Sequence, residues 1–117
     1  MSKKFVNSFH FALNGLFATL RTQSNIWVQI PIGILVVLAG LYFNISRADW
    51  LILVLTIAGV LTVELINTSI EVTLNYLAKE HNLNVKAAKD IAAGAVLVTC
   101  LASVVIGLIV FLPYIFS

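Results

Sequence analysis

Three apolar stretches dominate this chain: about Ile26 to Ile45, about Trp50 to Leu77, and about Ile91 to Phe116. Each can cross a bilayer as a helix, which takes about 20 residues. A chain of 117 residues is too short to hide three such segments in a soluble core. Composition agrees, since 61% of the residues are hydrophobic and the mean hydropathy is +1.04. The expected fold is therefore an all-α integral membrane protein, one domain over residues 1–117. A short turn, Asn44 to Asp49, joins the first two spans, with Ser46 or Asp49 as its N-cap. A polar loop, Ala78 to Asp90, joins the second and third. The single cysteine, Cys100, lies in an apolar run. It forms no intrachain disulfide and reads as a buried, inert thiol.

The first 25 residues have a basic start but no uninterrupted apolar core, so they do not read as a cleavable signal. Phe5, Phe9, Ala12/Leu13, Leu16/Phe17 and Leu20 recur at helical spacing, with Lys4, Asn7, Asn14 and Arg21 opposite. This pattern predicts an amphipathic helix over about 4–22, lying in the membrane interface. Lys3, Lys4 and Arg21 precede the first span, and Lys79, Lys86 and Lys89 fall in the second loop. The first loop has only Arg47. The bias of basic residues toward the cytoplasm then puts the N-terminus and second loop on the cytoplasmic side of a bacterial inner (cytoplasmic) membrane. The net charge of +2 gives no reason to expect a nucleic-acid partner.

The second span carries two carboxylates, in Glu64-Leu-Ile-Asn67-Thr-Ser-Ile-Glu71-Val-Thr-Leu-Asn75. Ionisable groups inside a membrane are costly and are kept mainly for a task. Glu64, Asn67, Glu71 and Asn75 fall at i, i+3, i+7 and i+11, on one helix face. By helix rise, Glu64 lies about 10 Å deeper than Glu71. Mg²⁺ is usually held by one or two carboxylates plus substrate phosphates, and Glu71 suits that role. Glu64 is placed to meet a hydroxyl presented from the lipid. Lys89 and Asp90, at the start of the third span, offer charge neutralisation and a polar contact to phosphates. Each also has a plain reading, Lys89 as a membrane-side anchor and Asp90 as a helix-start residue. No cation lies in any span, so Glu64 and Glu71 are expected to be unpartnered within one chain, pointing to a subunit boundary. Ala95, Thr99, Ser103 and Gly107 recur every four residues on the third span and allow close helix approach.

The chain has no phosphate-binding Gly-x-x-x-x-Gly-Lys loop, no Gly-rich kinase loop and no His/Cys metal cluster. Any ATP chemistry must use a fold unrelated to soluble kinases. A proton-coupled transporter would also place a carboxylate in a span, but the Asn between the carboxylates and the surface helix argue against it.

The run Glu64-Leu-Ile-Asn67-Thr-Ser-Ile-Glu71 resembles the signature of the prokaryotic diacylglycerol kinase family. Ala88-Lys89-Asp90-Ile-Ala-Ala-Gly94-Ala-Val resembles its Ala-Lys-Asp block, in the form of the undecaprenol kinase branch. Ser8-Phe-x-Phe11-Ala-x-x-Gly15 resembles its surface helix. The resemblance covers essentially the whole chain. It implies a homotrimer of three-span subunits that uses ATP and Mg²⁺ to phosphorylate a membrane lipid alcohol, undecaprenol or diacylglycerol. It further implies Glu64 as catalytic base and Glu71 as metal ligand. Asn67, Glu71, Glu80, Lys89 and Asp90 would line the nucleotide site, and Phe11, Gly15 and Glu64 the lipid site. Two positions depart from the pattern. Asn75 replaces an Asp, and Gln23 stands where a second metal-binding Glu is usual, leaving only a carbonyl oxygen for the ion. The alternative reading is a weakened or inactive membrane scaffold of the same fold.

Overall fold

The computed structural model describes residues 2–22, 24–77 and 83–117. It has four helices: α1 (Lys3–Leu20), α2 (Ile26–Phe43), α3 (Arg47–Leu77) and α4 (Leu83–Ile115). The last three are long and apolar enough to cross a membrane. Most of their large side chains point outward and are exposed on the single chain, as lipid or other helices require of a spanning segment.

Helix α1 begins at Ser2, whose hydroxyl accepts from the Phe5 amide. Nearly all of it is exposed, with Thr19 alone buried. The Trp27 indole donates to the Leu20 carbonyl at 2.9 Å and ties the end of α1 to the start of α2. Helix α2 ends at Asn44 in the left-handed conformation, φ 52° and ψ 51°. Asparagine tolerates this region better than most residues, and its amide caps the Gly40 and Leu41 carbonyls. Of the two expected caps for α3, Ser46 takes the role, its Oγ accepting from the Asp49 amide at 3.2 Å. Gly40 is required here by close approach. A Cβ at this position would sit 2.7 Å from the Trp50 ring.

The tight α2–α3 turn lets Ile45, Leu53 and Val110 form a buried cluster, flanked by Phe43, Trp50, Phe111 and Tyr114. The Tyr114 hydroxyl donates to Asp49 at 2.6 Å and accepts from the Ser46 amide at 3.0 Å, linking the end of α4 to this turn.

The polar loop expected over 78–90 is helical from Leu83 onward, so α4 starts about two turns ahead of the apolar span. Residues 78–82 lie outside the described residues. Hydropathy marks where a helix enters apolar surroundings rather than where it begins. Val85 to Asp90 includes good helix formers, and Lys86 pairs with Asp90 at i,i+4, 2.6 Å apart. Ser103 and Gly107, from the small-residue stripe, line a cavity of about 320 Å³ between α2, α3 and α4 together with Cys100. These two positions therefore face inward within one subunit.

Candidate functional site

The polar face of α3 sits at the end of the bundle remote from the α2–α3 turn. Glu64, Asn67 and Glu71 open with Lys89 and Asp90 of α4 onto a cleft of about 290 Å³, with Asn25 at its edge. The helical period puts the first three on one line, and the packing of α3 against α4 brings the other two opposite.

Glu64 is 1% exposed, the most completely buried large side chain among the described residues. Its Oε1 accepts two hydrogen bonds, from Ser24 Oγ at 3.0 Å and from the Asn25 amide at 3.1 Å. Its Oε2 is buried without a hydrogen-bond partner. The expectation that both carboxylates stand unpartnered within one chain therefore fails for Glu64. Ser24 and Asn25, which directly precede α2, supply donors to it. Glu71 is exposed and makes no hydrogen bond among the described residues.

Lys89 Nζ donates to Asn75 Oδ1, one turn beyond Glu71 on α3. Asp90 is engaged by Lys86. The ammonium of Lys89 thus rests on a neutral amide, while the Asp90 charge has a cation of its own. Among the described residues no three His, Cys, Asp or Glu side chains converge on one point. Gln23 and Glu80 lie outside the described residues.

A second concavity, about 570 Å³, runs between α1 and α3. Gly15, Leu16 and Thr19 of α1 face Leu65, Thr68 and Val72 of α3 across it. Gly15 is on this groove. Phe11 is not, and points outward, 68% exposed. Thr68 connects the groove to the cleft: buried one turn after Glu64, it donates to Ser24 Oγ at 3.3 Å. Sequence reasoning missed Ser24, Asn25 and Thr68. Thr68 is at i+4 from Glu64 and was legible as sharing its face. Ser24 and Asn25 are 40 and 39 positions away and reach Glu64 only through the fold.

Three apolar helices, one of them carrying a buried carboxylate beside a cleft lined by three carboxylates and a lysine, define a small polytopic membrane protein. The model for prokaryotic diacylglycerol kinase matches residues 10–111, and the chain belongs to that family. It is 39% identical over 110 residues to an undecaprenol kinase of Bacillus subtilis, covering 94% of this chain and 89% of the relative. It is 35% identical over 112 residues to a diacylglycerol kinase of Synechocystis sp., covering 94% of this chain and 63% of that longer relative. The resemblance to the family, and to its undecaprenol kinase branch, is thereby established.

Proposed function

We propose that this chain is a lipid kinase that moves the γ-phosphoryl group of ATP to the hydroxyl of a membrane alcohol, undecaprenol or diacylglycerol, at the cytoplasmic face. One observation carries the reading. A carboxylate inside a spanning helix is held by two donors on one oxygen, and its other oxygen is buried and unpartnered, beside a cleft that also holds Glu71 and Lys89. A kinase needs little covalent help from its protein beyond positioning, charge neutralisation and proton removal. Glu64 Oε2 takes the proton of the lipid hydroxyl as that oxygen bonds to the γ-phosphorus, and ADP departs. Lys89 neutralises phosphate charge, and Asn67, Asp90 and Glu80 make polar contacts to the nucleotide.

Hard oxygen donors on the cleft wall, led by the unpartnered carboxylate of Glu71, fit Mg²⁺ held jointly with phosphates. By the family resemblance, Gln23 would be a weaker contributor. Bound there, the ion would offset the negative charge of the phosphates. The α1–α3 groove, with Gly15 on its wall, suits a hydrocarbon chain whose head reaches Glu64, and Phe11 extends outward to the lipid. The chain would sit in a bacterial inner membrane with α1 in the cytoplasmic interface. Homotrimerisation, implied by the family resemblance, would place the exposed Glu71 beside a neighbouring subunit.

The test is ATP- and Mg²⁺-dependent labelling of undecaprenol and diacylglycerol by the purified protein in detergent. Transfer to either lipid supports the reading. Absence of transfer to both, with nucleotide still bound, would leave the non-catalytic scaffold instead.

A further inference from the structure

Ser24 stands where α1 has ended and α2 has not begun, yet its hydroxyl is the most heavily used among the described residues. It contacts Glu64 Oε1 at 3.0 Å, the Ile26 amide at 3.2 Å and Thr68 Oγ1 at 3.3 Å. A serine hydroxyl has one proton to give and two lone pairs to offer. The Ile26 amide can only donate, and an ionised carboxylate can only accept. One lone pair of Ser24 is therefore taken by Ile26, its proton goes to Glu64, and its second lone pair receives the proton of Thr68. With Glu64 ionised, as a base must be, the three contacts admit a single direction, from Thr68 through Ser24 to Glu64. The Asn25 amide adds a second donor to the same carboxylate oxygen at 3.1 Å. Oε1 is fully committed, while Oε2 has no partner.

We propose that Ser24 is a positioning residue for Glu64: the one-way chain from Thr68 through Ser24 fixes the carboxylate by Oε1 and presents Oε2 alone to the lipid hydroxyl. The inference rests on Glu64 as the base and extends that reading to Ser24, which lines neither the cleft nor the groove, and to Thr68 behind it. Hydrogen bonds in series polarise one another, so the Thr68 link strengthens the Ser24 bond to the carboxylate. Thr68 also lines the α1–α3 groove, so a chain seated there lies against the far end of the same relay.

The experiment uses the full chain in detergent micelles with undecaprenol and radiolabelled ATP, comparing Ser24→Ala, Ser24→Thr, Thr68→Val and Glu64→Gln. Hydrogen bonds to charged groups are strong enough that Ser24→Ala should lower kcat about tenfold or more, while the KM for ATP changes less than about twofold. Ser24→Thr keeps the hydroxyl and should recover most of the turnover. Thr68→Val, which leaves the Ser24 contact to Ile26 intact, should cost about threefold, as loss of a neutral link does. In a Glu64→Gln background, Ser24→Ala should cost nothing further, because its effect runs through Glu64. A merely structural Ser24 would lower thermal stability without this split between kcat and KM. Wild-type kcat in Ser24→Ala, or a further loss in the Glu64→Gln background, overturns the proposal. Should Ser24→Ala fail to fold, Thr68→Val decides alone, and wild-type kcat there overturns it. Normal turnover in Glu64→Gln would instead remove the base itself, so the two failures are distinguishable.

Discussion

At the turn end of the bundle, Ile45, Leu53 and Val110 pack into a dry cluster, and Tyr114, Asp49 and Ser46 satisfy one another's polar groups. At the carboxylate end, about 22 Å away along α3 by helix rise, Glu64 is as deeply buried, yet keeps one oxygen unpartnered beside an open cleft. The same three helices supply both ends. One closes its polar accounts within a single chain, as a structural junction should. The other leaves a buried carboxylate oxygen, an exposed carboxylate and a lysine resting on a neutral amide. Unmet hydrogen-bonding capacity in an apolar setting is costly, which is why the proposed reaction is assigned to this end.

Five substitutions would break or sharpen this contrast. The largest effect is expected at Glu64. Glu64→Gln keeps size and removes basicity, so turnover should fall by about 10²-fold or more, the scale of losing a general base. Thermal stability in detergent should be retained, because the amide oxygen can still accept from Ser24 and Asn25. Wild-type rates would erase the functional side of the comparison.

Gly40→Ala tests the other end. The added methyl meets the Trp50 ring and Ile45. Overpacking of this kind costs about 1–3 kcal/mol. The melting temperature should drop while the KM for ATP is unchanged in the protein that remains folded. An unaltered melting temperature would show that the turn end is looser than its packing implies.

Lys89→Ala should raise the KM for ATP by about tenfold, the loss of one charge-assisted contact to phosphate, with a smaller change in kcat. Equal KM values would free Lys89 from any nucleotide role and leave it as a membrane-side anchor.

The smallest effect belongs to Asn75. The family pattern has Asp here, and an added carboxylate at Asn75 or Gln23 raises the charge available to a hard cation. Asn75 is in contact with Lys89, so the introduced charge would act first on that ammonium. Asn75→Asp should therefore change the KM for ATP by about threefold, since a partly exposed ion pair is worth on the order of 0.2–1 kcal/mol. Gln23→Glu alone should lower the Mg²⁺ concentration needed for half-maximal activity. Titrating both variants with Mg²⁺ at fixed ATP separates the two effects. Identical curves for both and the parent would make the departures neutral.

Much of the architecture was legible because it is local. Hydropathy marked three spans, and the helical period put Glu64, Asn67 and Glu71 on one line, where the cleft has them. Ser46 was recognisable as a cap from its place before an apolar run. The start of α4 was not, because polar residues in a helix outside the apolar layer look like a loop to a hydropathy argument. The relay on Glu64 was hidden for a stronger reason. Ser24 has no periodicity tying it to α3, and its role exists only once the packing of the helices carries it against residue 64.

Composition and the 3.6-residue period were thus enough to decide that this chain crosses a membrane as helices and carries carboxylates along one face of the second span, since both follow from the burial cost of each residue and its angle on a helix. Which oxygen of Glu64 is held and which is left unpartnered, that Asn75 meets Lys89, and that Tyr114 closes the far turn were decided by the tertiary structure alone. Hydrogen bonds are short and directional, and residues 24 and 64 come within that reach only when the helices pack.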